Sequence, residues 1–90
     1  MAGVEGRVAL VTGAGRGIGK AVTELLLSRG AQVMAVARSE EELTALGTEY
    51  TVADLGTPYG CALAVEETSR RLGPVEILVC NHGIGSAHER

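Results

Sequence analysis

Short apolar runs alternate along the chain with segments of helical periodicity. Val8 to Val11 is an apolar run of the length and content of a buried strand. Beyond a glycine-rich connection, Ile18, Val22, Leu25 and Leu26 recur at the spacing of one helical face. That helix is expected to run to about Arg29, where Gly30 supplies a C-terminal stop. Ala31 to Ala37 predicts a second buried strand. Ser39, with Glu42 three residues on, has the form of a capping box. The short helix it opens turns Leu43 and Leu46 inward and ends near Gly47. Tyr50 to Ala53 predicts a third strand, closed by Asp54 and Leu55. Thr57 as N-cap and Pro58 at the first helical position open another helix. Its apolar candidates are Leu63, Val65 and Leu72, and Gly73-Pro74 ends it. Val75 to Cys80 predicts a fourth strand. Residues 1–6 read as a frayed lead-in, and Ser86 to Arg90 as a polar tail.

The order β-α-β-α-β-α-β with short connections predicts an α/β fold. Right-handed crossovers make the sheet parallel, with helices on both faces. The strands are expected in the order 3-2-1-4. The crevice between strands one and four is then the switch point, where ligands bind at the carboxyl ends of the strands.

Ninety residues form one small domain, residues 1–90, marginal in size for such a fold. With 46% apolar and 21% charged residues the composition is that of an ordinary globular protein. Phe and Trp are absent, so the core is expected to be aliphatic. The net charge is −3 and the arginines are scattered, which argues against a nucleic-acid or membrane surface. No apolar run reaches membrane-spanning length, and the first residues lack the form of a secretory signal. A cytoplasmic location is the expectation. Cys61 and Cys80 lack metal-ligand spacing and read as reduced cysteines packed as small hydrophobes.

The candidate chemistry lies in Thr12-Gly13-Ala14-Gly15-Arg16-Gly17-Ile18-Gly19. A glycine-rich turn from strand to helix lets backbone N–H groups approach a pyrophosphate, and the helix N-terminus adds partial positive charge. At the end of strand two, where an NAD-selective site would place an acid, stands Arg38, and no acid follows until Glu40. A guanidinium suits a ribose 2′-phosphate, and Arg16 could approach it from the loop. Together they favour NADP(H) over NAD(H). Asp54 could accept a hydrogen bond from the adenine amino group, or serve as a turn residue ahead of Thr57. Asn81 could tie strands together or touch the ribose, and Gly83 would allow close backbone approach. His82 and His88 lack the partner that a general base needs.

The Thr-Gly-x-x-x-Gly-x-Gly spacing of residues 12–19 resembles the cofactor loop of the short-chain dehydrogenase/reductase family and matches every fixed position. The resemblance implies a Rossmann-like fold, and cofactor contacts from Thr12, Gly13, Gly15, Arg16, Gly17, Ile18 and Gly19. Arg16 and Arg38 fall where NADP-preferring members carry a basic pair, and Asp54-Leu55 matches the family's adenine contact. Cys80-Asn81-His82-Gly83-Ile84 resembles Asn-Asn-Ala-Gly-Ile, with Cys80 and His82 as departures.

The likeness covers the opening third or so of such an enzyme, nearest the NADP-linked 3-oxoacyl-carrier-protein, carbonyl and sugar reductases. Those enzymes pair a Tyr with a Lys four residues later, aided by Ser and Asn. Here the tyrosines are Tyr50 and Tyr59, followed at that spacing by Asp54 and Leu63, and the one lysine is Lys20. The family's catalytic group therefore belongs after residue 90. The expectation is the cofactor-binding portion of a carbonyl–alcohol oxidoreductase, inactive alone, whose full-length relatives form homo-oligomers. A stand-alone dinucleotide-binding or regulatory module is the alternative. A methyltransferase is weakened by the loop spacing and by Arg38. Strand four is expected to be an exposed apolar edge.

Overall fold

A computed structural model describes residues 3–81. Its elements are β1 (Val8–Thr12), α1 (Gly17–Ser28), β2 (Gln32–Ala37), α2 (Glu40–Thr44), β3 (Glu49–Val52), α3 (Pro58–Arg71) and β4 (Ile77–Val79). The four strands form one sheet in the order β3-β2-β1-β4, every pairing parallel. This is the expected truncated Rossmann-like arrangement. In the register, Leu10 lies between Met34 and Leu78, and Val11 between Ala35 and Val79.

Each face of the sheet carries its own aliphatic core. Ala9, Val11, Val33 and Ala35 meet Leu26 of α1 and Leu43 of α2 on one side. Leu10, Met34 and Val36 meet Ala64 of α3 on the other. This alternation of faces along β1 and β2 is the period of two that strand geometry imposes. The central strand β1 is buried throughout, as a strand covered on both faces must be.

The helices present the faces that apolar periodicity predicts only in part. In α1 the buried residues are Gly19, Thr23 and Leu26, with Val22 and Leu27 partly buried, whereas Ile18 is 71% and Leu25 46% exposed. The helix turns its glycine inward because it approaches the Gly13 carbonyl too closely for any side chain. Thr23 tolerates burial by donating its hydroxyl to the Gly19 carbonyl at 2.8 Å. In α3 the same rule holds: Gly60, Ala64 and Thr68 face the sheet, Leu63 and Leu72 flank the contact, and Val65 is half exposed. Thr68 likewise donates to the Ala64 carbonyl at 2.7 Å.

Several boundaries shift. β1 takes in Thr12, and β3 begins and ends one residue before the expected range. β4 is confined to Ile77–Val79; just before it, the Glu76 carboxylate accepts the Val8 N–H (3.1 Å) and the Glu76 N–H donates to the Val8 carbonyl (2.9 Å). Gly30 stops α1 as expected, with φ +88°. The described part of the lead-in is anchored rather than frayed: Val4 is buried, and Gly6 N–H donates to the Gly30 carbonyl at 2.9 Å. Thr57 caps α3 by accepting the Gly60 N–H at 3.0 Å. Ser39 makes no side-chain cap to α2, so the capping box does not form.

Both cysteines are free and exposed, not packed in the core. They flank an apolar hollow of about 160 Å³ between α3 and β4, walled by Leu10, Leu55, Val65 and Leu78. Among the described residues β4 is an outer strand of the sheet, and its Leu78 is 58% exposed.

Candidate functional site

Among the described residues, the sequence-predicted positions lie at or just beyond the carboxyl ends of the strands. β1 ends at Thr12, and the chain then reverses through Gly13 and Gly17, at φ +63° and +60°. A side chain is strained at either angle, so glycine is what permits the turn. The loop is pinned to the sheet by Ala14, whose side chain is fully buried and whose N–H donates to the Val36 carbonyl at 3.1 Å.

α1 starts directly from this loop. Arg16, in extended conformation, is its N-cap residue and gives no side-chain hydrogen bond to the helix, and the first turn contains no acid. The partial positive charge of the helix end is therefore uncompensated by its own sequence. A Cβ on Gly17 would meet nothing within 4 Å, so bare backbone faces outward there. Gly19 faces the opposite way: a Cβ would overlap the Gly13 carbonyl and stand 2.9 Å from Asn81 Nδ2. Gly19 is thus a packing glycine, and it is what brings the helix end down onto the loop.

Thr12 joins β1 to the end of β4. Its hydroxyl donates to the Val79 carbonyl (3.3 Å) and accepts the Asn81 N–H (2.8 Å). The Thr12 side chain therefore ties the strands, Asn81 contributing its backbone N–H, and Asn81 Nδ2 stands against the Gly19 turn. Asp54, just beyond β3, accepts the Gly56 N–H at 2.9 Å and closes the turn that leads to Thr57. Leu55 packs against the α3-side core. Ile18 is exposed beside the helix start. Gly83, His82 and His88 lie outside the described residues.

Arg38 is exposed at the end of β2 and enters no ion pair among the described residues. Arg16 is also exposed, but its Nη2 lies 3.1 Å from Glu42 Oε2. The same glutamate packs over the loop: a Cβ on Gly15 would fall 2.8 Å from Glu42 Cβ. Glu42 is the site residue that sequence reasoning missed. Its spacing from Ser39 assigned it to a cap, whereas α2 directs it across to the loop. A second hollow, of about 340 Å³, opens among Thr48, Glu49, Tyr50 and Arg71. It borders the start of β3, away from the loop, and Arg71 already pairs there with Glu49 at 2.7 Å. No group of three or more potential metal ligands occurs, and no helix is long and apolar enough to cross a membrane, among the described residues.

With this geometry in place, the likeness to known proteins becomes specific. The short chain dehydrogenase family model matches residues 7–90. Versicolorin reductase 1 of Aspergillus parasiticus is 41% identical, over 92% of this chain and 36% of the relative. The 3-oxoacyl-acyl-carrier-protein reductase FabG of Escherichia coli is 40% identical, over 89% of this chain and 35% of the relative. L-sorbose reductase from Gluconobacter frateurii, solved with NADPH and L-sorbose, superposes with a TM-score of 0.82 at 33% identity. That match covers 90% of this chain and 35% of the reductase. The chain thus spans about a third of the length of the relatives it matches. Over that span it carries the loop, the strand order and the helix placement together, and it belongs to the short chain dehydrogenase family.

Proposed function

We propose that this chain is the dinucleotide-binding portion of an oxidoreductase that interconverts a carbonyl and an alcohol, and that it prefers NADP(H) to NAD(H). The observation that carries the reading is the uncapped, acid-free start of α1 rising from a turn of bare glycine backbone. Such a helix start favours a pyrophosphate through oriented N–H groups and its partial charge. The residues present fit that group: glycine leaves the approach open at Gly17, Gly19 packs the helix start against the loop, and Ala14 bonds the loop to β2.

Arg38 and Arg16 supply the preference. Both guanidiniums are exposed near the ends of β2 and β1, where a ribose 2′-phosphate would gain charge-assisted, bidentate contacts. Asp54 would serve the adenine end, Asn81 the ribose, and Gly83 would allow close backbone approach. The cofactor supplies hydride when bound. The chain's own residues bind and orient it, and the proton-transfer Tyr and Lys are absent from residues 1–90. The 90-residue chain alone is therefore expected to turn over no substrate. In a longer parent, the partners would be a small carbonyl or alcohol and further copies of the subunit.

Calorimetric titration of the 90-residue chain with NADPH and with NADH tests the reading, once cooperative unfolding has been verified. Saturable binding that favours NADPH and weakens on Arg38→Ala is the expected result. Binding without preference removes the assignment of Arg16 and Arg38. A folded chain that binds neither nucleotide refutes the dinucleotide site.

A further inference from the structure

We infer that Glu42 is a specificity-determining residue that opposes the 2′-phosphate and so limits the preference for NADP(H) over NAD(H). The inference rests on the dinucleotide reading above and deepens it. Three acids, Glu40, Glu41 and Glu42, crowd the first turn of α2, and the fold gives them different surroundings. Glu40 accepts the Tyr50 hydroxyl at 2.8 Å. Glu41 is exposed. Only Glu42 among the three reaches the glycine loop, pairing with Arg16 at 3.1 Å and lying over Gly15.

Its position is fixed from below. Leu43, the next residue, is fully buried in the core shared by β1, β2 and α1, so the turn of α2 that carries Glu42 is held against the loop. The Glu42 side chain is 31% exposed, against 82% for Arg16. The carboxylate is the more buried member of the pair and the guanidinium the more exposed one.

Two costs to a 2′-phosphate follow. Arg16 must leave Glu42 or divide its donors between two anions, and the phosphate's negative charge must approach a carboxylate held beside the loop. NAD(H) lacks the phosphate and meets neither cost. A carboxylate in that neighbourhood would also accept a ribose 2′-hydroxyl, the task an acid at the end of strand two performs in NAD-selective sites. Here the strand end carries Arg38, and an acid arrives from the helix that follows. Attraction by Arg38 and opposition by Glu42 thus act on the same group.

The test compares the dissociation constants of NADPH and NADH for the 90-residue chain and its Glu42→Gln, Glu41→Gln and Arg38→Ala variants. Thermal unfolding of each variant verifies that it is folded. Glu42→Gln keeps the size and polarity of the side chain but removes its charge, and should tighten NADPH by about fivefold, the scale of a partly exposed ion pair. NADH should stay within about twofold or weaken on the same scale. Glu41→Gln removes an equal charge from the same turn and should leave the NADPH/NADH ratio unchanged. An unchanged ratio in Glu42→Gln, with Arg38→Ala still weakening NADPH, overturns the role of Glu42 and leaves the dinucleotide reading standing. Equal tightening in Glu41→Gln reduces the effect to net charge and also overturns it. If the folded chain and its variants bind neither nucleotide, both readings fall together.

Discussion

The hydroxyl of Thr12 accepts the backbone N–H of Asn81, sixty-nine residues away, at 2.8 Å. It donates in turn to the Val79 carbonyl, so one buried side chain ties the central strand to the sheet edge where β4 ends. β4 has only three residues, and the Thr12 hydroxyl extends its link to β1 one step past the last ladder pair, Val11 with Val79. Thr12→Val keeps the shape and removes both bonds, leaving the Asn81 N–H without its acceptor. The expected cost is about 1–3 kcal/mol in denaturant unfolding, the penalty for an unsatisfied partly buried group. Thr12→Ser keeps the hydroxyl and should cost about 1 kcal/mol or less. Hydrogen exchange reads the bond directly: the Asn81 amide should lose protection in Thr12→Val and keep it in Thr12→Ser. Equal protection in all three proteins would contradict the tie.

The two glycines of the loop predict opposite kinds of damage. Gly17 has φ +60° and open space around it, so Gly17→Ala pays mainly backbone strain, about 1–2 kcal/mol. Gly19 lies in the helix, but a methyl there would overlap the Gly13 carbonyl and crowd Asn81. Overpacking that must move backbone should cost about 3 kcal/mol or more. Urea titration of both variants separates the cases. Gly19→Ala should be the more destabilised, and should lose nucleotide binding even where it remains folded. A Gly19→Ala protein as stable as Gly17→Ala would show that the helix start is not in close contact with the loop.

What was legible in the sequence was what repeats or punctuates. The apolar runs named all four strands, and glycine named the loop and the stop of α1. Their parallel order, 3-2-1-4, followed from connection lengths and handedness. Helix faces were less legible, because both α1 and α3 contact the sheet through small residues. Apolar periodicity selects Ile18, Leu25 and Val65, but close approach selects Gly19, Gly60 and Ala64, which carry almost no hydropathy signal. The pairing of Arg16 with Glu42 was invisible for a different reason. It joins a loop after β1 to a helix after β2, and no local pattern encodes a contact between them.

The caps of α2 and α3 give a paired prediction. Both helices are preceded by a hydroxyl residue, but only Thr57 accepts a helix N–H, from Gly60 at 3.0 Å. Thr57→Ala should therefore destabilise the chain by about 1 kcal/mol, with Thr57→Ser close to wild type. Ser39 makes no such bond, and Ser39→Ala should change stability by less than about 0.5 kcal/mol. Thermal unfolding of the three variants under one buffer decides it. Equal losses at the two positions would mean that Ser39 caps α2 in solution after all.

Stability should fall on acidification through Glu67, whose surroundings favour its charged form. Arg70 and then Arg71 donate hydrogen bonds to its carboxylate and hold its pKa below the ordinary value of 4.5. The unfolded chain loses these partners, so its Glu67 binds a proton at higher pH than the folded chain does. The contribution of the charged carboxylate is accordingly complete above 4.5 and is lost as pH falls through the lower, folded value. Arg71 also bonds Glu49 and the Tyr50 carbonyl, so the carboxylate anchors a link from α3 to β3. Glu67→Gln removes the titration while keeping a hydrogen-bonding side chain. Near neutral pH the wild type should be the more stable. The difference should shrink below pH 4.5 and disappear once the folded carboxylate is protonated. Unfolding midpoints of both proteins from pH 7 to pH 3, at low and at high salt, measure this, and added salt should narrow the gap near neutrality. A difference that stays constant across that range would show that the Glu67 pair contributes nothing through its charge.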